Sequence, residues 1–279
     1  MKSRREFIKT LSLLTVGAAA SCTFPYCIRP KRLTGIQLWT LRDIAGKDPV
    51  GTLQIVTDIG FNNIEPYGFD GKFYGIEARE YGDIVRNLGA RLSSTHTGIS
   101  SDNCRHYAEK AVDAGLEYLV LPSPGGRPVS TTDDFKRIAE ELNTIGLAVR
   151  EAGLGFGYHN HAREFEPIDG IIPYDILLQE TEPGLVCFEM DIYWIIKGGA
   201  DPLDYFRKYP GRFELWHVKD MGPDGKSCII GNGNINFKEI FALADIAGMK
   251  YFYLEQEDYE KSPVECVEES YGYIEGELG

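Results

Sequence analysis

The sequence predicts a single closed (β/α)8 barrel, and three observations carry that expectation. The chain has 279 residues, and such barrels typically take about 250. Eight short apolar runs, each ending in polar residues, are spread along it. Helical patterns separate most of them.

In order, the runs lie near 34–39 (TGIQLW), 62–66 (NNIEP), 92–96 (LSSTH), 118–122 (YLVLP), 155–160 (GFGYHN), 185–191 (LVCFEMD), 214–219 (ELWHVK) and 251–255 (YFYLE). Asp48–Ile59 reads as a helix with Val50, Leu53, Ile55 and Val56 apolar and Gly60 at its end. Thr132–Ala152 is the longest helical pattern. Its Phe135, Ile138, Leu142, Ile145, Ala148 and Val149 fall at helical spacing, and Gly153 follows as a C-cap. Asn236–Ala247 is a third, closed by Gly248. Strands alternating with helices imply a parallel sheet, and a count near eight favours a closed barrel over an open doubly wound sheet. No G-x-G-x-x-G follows the first strand and no G-x-x-x-x-G-K-[ST] occurs. Gly231-Asn232-Gly233-Asn234, between strands seven and eight, reads as a loop rather than a phosphate cradle. Without a linker or low-complexity stretch, residues 34–279 form one domain.

The composition is that of an ordinary globular chain: 43% hydrophobic, 25% charged, 12% aromatic. That excludes collagen, coiled coil and disorder. The net charge of −13, from 29 basic and 42 acidic residues, argues against nucleic acid or an anionic membrane as partner, because phosphate binding needs a basic surface. The six cysteines (22, 27, 104, 187, 228 and 266) are scattered without a C-x-x-C pair, so a cysteine zinc site is not expected. Residues 1–21 read as an address. Ser3-Arg4-Arg5-Glu6-Phe7-Ile8-Lys9 before an apolar run, Leu11 to Ala20, resembles a bacterial Tat export signal. Ala19-Ala20-Ser21-Cys22 resembles a lipoprotein cleavage box, with Ala19 where Leu is usual. Residues 22–33 would then be a short linker. The expected location is the periplasm, with a membrane tether if Cys22 is acylated. Loss of residues 1–21 would leave 25 basic against 41 acidic residues, a net −16.

Catalytic groups of such barrels sit at the C-terminal ends of the strands. Those ends carry Gln37 and Trp39; Glu65; His96; His159, Asn160 and His161; Glu189 and Asp191; His217, Lys219 and Asp220; and Glu255 and Glu257. Four of the five histidines are among them. Side chains two apart on a strand share a face, so His159 can point with His161, Glu189 with Asp191, and His217 with Lys219. His, Asp, His and Glu from four neighbouring strands suit a divalent ion such as Mn, Fe, Co, Ni or Zn. Asp220 also reads plainly as a loop cap, and Glu257 as a solvated side chain.

These residues resemble the sugar phosphate isomerase/epimerase superfamily of xylose-isomerase-like TIM barrels. The resemblance spans the chain after the export segment. Its carriers are Gly35-Ile36-Gln37-Leu38-Trp39-Thr40-Leu41-Arg42, Tyr158-His159-Asn160-His161 with Glu164-Phe165, Glu189-Met190-Asp191-Ile192-Tyr193-Trp194 with Gly199-Ala200-Asp201-Pro202, His217-Val218-Lys219-Asp220, and Leu254-Glu255-Gln256. It implies one divalent ion held by His159, Asp191, His217 and Glu255. Most sugar epimerases of the family have Glu where this chain has His159. There, carboxylates on strands five and eight exchange a proton with the two faces of a carbon. Here Glu255 alone is kept, so the second proton carrier would be His161, Glu164, Lys219 or a metal-bound water.

The implied substrate is a small carbohydrate bearing a carbonyl, deprotonated next to that carbonyl through a metal-bound enediolate. His96, Glu65, Asn160, Glu164 and Lys219 are candidates to hold hydroxyls, and Trp39, Trp194 and Tyr158 to stack on the ring. An exported, acidic protein without a phosphate clamp points to a sugar without phosphate. The leading expectation is a metal-dependent sugar isomerase or epimerase. A lyase or hydrolase of keto-glycosides by elimination is the alternative on the same chemistry. A non-catalytic sugar-binding lipoprotein is a second class. Endonuclease-like cleavage, known on the same barrel, conflicts with the negative charge.

Overall fold

The computed structural model describes residues 33–124 and 129–278. The expected export segment, Cys22 and all but Leu33 of the expected linker lie outside the described residues. Eight parallel strands form one curled sheet: β1 (Gly35–Gln37), β2 (Asn63–Glu65), β3 (Arg91–Leu92), β4 (Tyr118–Leu121), β5 (Gly155–His159), β6 (Cys187–Asp191), β7 (Leu215–Val218) and β8 (Tyr251–Leu254). β1 pairs with both β2 and β8, and β4 through β8 follow one another in order. The expected strand at 92–96 is irregular. Its ladder ends at Leu92, and the barrel closes through a bridge between His96 and Val120 and the bond from Val120 N to Thr95 O at 3.0 Å.

Helices surround the sheet: α1 (Pro49–Ile59), α2 (Ala78–Asn87), α3 (Cys104–Ala114), α4 (Thr132–Glu151), α5 (Pro173–Glu180), α6 (Ile192–Lys197), α7 (Pro202–Lys208), α8 (Phe237–Phe241) and α9 (Pro263–Tyr273). α1 begins where the Asp48 side chain accepts from Gly51 N and Pro49 enters the first turn. α4 begins on a capping box of Thr131 and Asp134. Its inward stripe is the one read from the sequence, whereas Val50, expected on the apolar face of α1, is exposed. The expected helix 236–247 is broken. α8 ends at Phe241 and a separate turn covers Ala244–Ala247. Among the described residues, no helix is long and apolar enough to cross a membrane.

Strand alternation sorts the core into two layers. Phe156, Tyr158, Phe188, Met190, Trp216, Val218, Phe252 and Leu254 face outward into the main core beneath the helices. Tyr118, Val120, Cys187, Leu215 and Tyr253 face inward and form a separate apolar plug inside the barrel. One step further along the same inward rows stand His159, Glu189, Asp191, His217 and Glu255. The plug thus forms a dry floor beneath a polar mouth.

The loop after β7 is built around Asp220. Its buried carboxylate accepts from Met221, Gly231, Gly233 and Ile235 backbone N–H groups at 2.8–3.2 Å. That makes Gly231–Asn234 an anchored loop: the Gly231 and Gly233 amides bond Asp220, and those of Asn232 and Asn234 bond the Ile229 and Met221 carbonyls. Packing between α2 and α3 is equally specific. A Cβ on Gly82 would lie 2.1 Å from the Ala114 carbonyl oxygen. Gly82→Ala is therefore expected to destabilise the protein by about 1–3 kcal/mol, measured as a lowered melting temperature. An unchanged melting temperature would contradict this packing.

Candidate active site

The site lies at the C-terminal mouth of the barrel. β6 ends on Asp191, which does two things. Its Oδ1 accepts from Trp194 N at 2.8 Å and so caps α6. Its Oδ2 is turned inward and has no hydrogen-bond partner, although the residue is fully buried. Oδ2 lies 3.5 Å from His159 Nε2 and 3.8 Å from His217 Nδ1. His217 Nδ1 is in turn 3.2 Å from His159 Nε2 and 3.2 Å from Glu255 Oε2.

These separations fit a shared cation. Metal–ligand arms of about 2.1 Å set neighbouring donors roughly 3.0–3.4 Å apart. The only fixed positive charge near Asp191 Oδ2 among the described residues is the Lys219 ammonium at 3.6 Å, beyond hydrogen-bond length, so a further cation would suit this buried oxygen. The residues present therefore fit a divalent ion, with His159, Asp191, His217 and Glu255 as its donors.

A second group, His96, His159, Glu189 and His217, is also clustered. Its contacts differ in kind. His96 Nε2 is 2.6 Å from Glu189 Oε2, and His217 Nε2 is 2.7 Å from Glu65 Oε2. Those are hydrogen-bond lengths. With Nε2 donating to Glu65, the His217 lone pair on Nδ1 faces the first cluster, as an outer-shell carboxylate commonly arranges. Glu65 Oε2 also accepts from Gln37 Nε2 at 2.9 Å, and Gln37 Oε1 accepts from Trp39 N at 3.0 Å.

Lys219 supplies the fixed positive charge. Its fully buried ammonium donates to Glu255 Oε2 at 3.0 Å and to Glu257, and lies 3.6 Å from Asp191 Oδ2. It also sits over the rings of Tyr193 and Trp194, about 5 Å from each centroid. Burial opposes that charge, but Glu255 and Asp191 hold the lysine protonated. Burial likewise opposes ionisation of Glu255, and Lys219 and His217 overrule it, keeping the carboxylate well below the usual range. Burial raises Glu189 and Asp191. Burial and His217 push His159 well below the ordinary imidazole value. His217 goes the other way: burial lowers it, but Glu189 and Glu255 raise it well above 6.5.

A cavity of about 500 Å³ opens over the cluster. Trp39, Tyr67, His96, His159, His161, Trp194, Glu255 and Glu257 are among its lining residues. Five residues expected to meet substrate are not among its lining residues. Asn160 staples β5 to β6, with Oδ1 accepting from Asp191 N and Nδ2 donating to Asp191 O. Glu164 is fully buried and caps the turn after β5, accepting from His161 N and Tyr158 OH. Glu65 lies behind His217. Lys219 is fully buried behind the carboxylates it binds and holds Glu255. Tyr158, expected to stack, faces the outer core. Glu257, expected to be solvated, is half-buried against Lys219. Tyr67 was not singled out from the sequence. It stands beyond the end of β2 in an irregular loop, where no spacing rule marks it.

The chain's structure neighbours are sugar phosphate isomerase/epimerases and xylose-isomerase-like TIM barrels. A sugar phosphate isomerase/epimerase from Parabacteroides distasonis superposes with a TM-score of 0.79 at 28% identity, covering 91% of this chain and 98% of that one. The IolI protein, solved with a zinc atom, superposes with a TM-score of 0.70 at 11% identity, over 88% and 97% of the two chains. Among curated proteins, inosose dehydratase 1 of Bacillus cereus is 22% identical over 93% of this chain and 91% of its own. Inosose dehydratase of Clostridium tetani is 25% identical, but the match spans about half of each chain, 53% and 56%. No protein-family model matches the chain.

Purified without chelator, the protein is expected to carry about one equivalent of a divalent ion. Asp191→Asn, which keeps an oxygen for the α6 cap, and His217→Ala are each expected to lose it. Glu164→Gln is expected to keep it. Plasma mass spectrometry on the three folded variants decides the matter, and full retention in Asp191→Asn would exclude Asp191 as a ligand.

Proposed function

We propose that this chain is a divalent-metal-dependent enzyme that removes a proton next to the carbonyl of a sugar or cyclic polyol without phosphate, with elimination of a β-oxygen as the outcome. The observation that carries the reading is the pairing at the barrel mouth. The His159–Asp191–His217–Glu255 donor set stands beside one ionised carboxylate, and an imidazole fills the place of a second carboxylate.

Bound there, a divalent ion polarises the carbonyl and stabilises the negative charge that deprotonation creates. Lys219 holds Glu255 Oε2, which leaves Oε1 of this cavity-lining residue to accept the proton from carbon. The C–H electrons form a C=C bond and the bond to the β-oxygen breaks. His96 and His161, both on the cavity wall, can hydrogen-bond that departing oxygen and supply its proton. Trp39, Tyr67 and Trp194 shield the site from water. Elimination needs one base and one acid. Epimerisation at a single carbon needs carriers on opposite faces, and His159 is engaged in the cluster. The curated relatives being dehydratases supports the same choice. The residues of the cavity wall, among those described, include no lysine or arginine, which supports a substrate without phosphate.

Isomerisation or epimerisation is the second reading, favoured by the neighbour from Parabacteroides distasonis and by His161 as a further wall imidazole. An export segment ahead of the barrel and a lipid anchor at Cys22 are part of the proposal and rest on residues 1–22 alone.

The test is incubation of the metal-loaded protein with inososes and keto-glucoses in D2O, followed by mass spectrometry. Loss of one water is the expected result. Unchanged composition with deuterium at one carbon would transfer the assignment to epimerisation. No exchange at any carbon would sink proton abstraction altogether. Glu255→Gln is expected to slow turnover by about 10²–10⁴-fold.

A further inference from the structure

The cavity has an outer end that the chemistry at its floor does not use. Trp39 stands there, 41% exposed, the only aromatic among the exposed large hydrophobic side chains of the described residues. An indole face left in water is unfavourable unless something covers it. This one is also held still. The Tyr67 ring meets it edge-on at 4.9 Å and 87°, and Tyr67 is backed by Tyr74 at 5.4 Å. The Arg42 guanidinium lies 5.5 Å from the indole centroid. Arg42 is itself fixed by the Trp39 carbonyl, Tyr259 OH at 2.7 Å and the Glu257 carbonyl at 2.9 Å. From below, Gln37 pins the Trp39 backbone. A rigid exposed aromatic face costs a ligand little ordering, which is what a stacking platform needs.

We propose that the substrate is a neutral glycoside of two sugar rings, the reacting ring over the His159–Asp191–His217–Glu255 cluster and the second ring stacked on Trp39. This rests on the carbonyl-sugar reading above and adds the second ring. Volume supports it. About 500 Å³ falls within the range that encloses drug-sized ligands, more room than one pyranose ring takes. Charge supports it as well. The wall residues include Glu255 and Glu257 and, among the described residues, no cation. A phosphate or uronate near Glu257 would meet like charge, and the Arg42 guanidinium beside Trp39 is already engaged by Tyr259 OH and the Glu257 carbonyl. The C–H face of a neutral pyranose is the surface that an indole takes best.

Calorimetry tests this with unreactive saccharides, so that binding is read without turnover. The ligands are methyl α- and β-glucoside and a panel of glucose disaccharides covering both anomers and each linkage, with the metal-containing protein. At least one disaccharide is expected to bind about five- to tenfold more tightly than either methyl glucoside. Trp39→Ala should bring the ratio of disaccharide to methyl glucoside affinity down to about one, whatever the absolute affinities, while Trp39→Phe should keep part of the gain. A gain that survives Trp39→Ala, no gain for any disaccharide, or no binding by any saccharide would overturn the proposal. The two readings fail separately. Turnover of keto-monosaccharides without a disaccharide advantage removes the outer subsite alone. A Trp39-dependent disaccharide advantage without proton exchange on any keto-sugar removes the reaction alone.

Discussion

The constraint on which the rest depends is the burial of charge at the barrel mouth. Glu65, Glu189, Asp191 and Glu255 are all at most 4% exposed, and buried charge is costly unless compensated. Lys219 offers one fixed positive charge. Three imidazoles offer hydrogen bonds and, when protonated, further charge. The arrangement divides this task. Glu65 and Glu189 are answered by His217 and His96 across short hydrogen bonds. Glu255 is answered by Lys219 and His217. Asp191 Oδ2 is left without a hydrogen-bond partner, facing two imidazole nitrogens. With the Lys219 ammonium 3.6 Å from that oxygen, the donor set could hold one more cation beside a cavity that a ligand can enter.

That layout depends on local features with two uses each. Asp191 ends a strand, caps a helix and leaves one oxygen inward. Asn160 satisfies both backbone groups of Asp191 and so sets the spacing between β5 and β6 on which the His159–Asp191 separation depends. Gln37 links the turn carrying Trp39 to the carboxylate that orients His217. A change at the rim is therefore connected to the donor cluster through three hydrogen bonds and two buried side chains, Gln37 and Glu65. Along the inward rows the barrel passes from the apolar plug of Tyr118, Val120, Cys187, Leu215 and Tyr253 to the polar mouth, with Glu189 in register with Leu215 and Asp191 with His217.

The division between charge compensation and chemistry also explains which polar residues face the cavity. Lys219 has the charge of a catalytic group but none of the access. Glu257 reaches the cavity and is tied down by Lys219 from behind. His96 and His161 combine access with a nitrogen able to bond a ligand. Chain position alone places all four at strand ends, and only their surroundings separate positioning from contact.

The sequence by itself determined the barrel, since its alternation of short apolar runs and helical stripes needs only local periodicity. It also determined which chemistry-bearing residues gather at one end of the sheet, because strand C-termini share a face in a parallel barrel. Strand parity placed His159, Asp191, His217 and Glu255 among the strand-end residues of four separate segments, and the resemblance implied that these four share an ion. Only the tertiary structure decided how those groups are used. Whether Glu164 meets a sugar or caps a turn depends on Tyr158 and His161 around it. Whether Lys219 moves a proton or holds a carboxylate depends on Glu255 and Glu257, 36 and 38 positions away. Tyr67 and Arg42 join the site through irregular loops, where no period marks them. Periodicity is a property of the chain. Desolvation and hydrogen-bond partnership belong to contacts between distant segments, and they exist only once the barrel has closed.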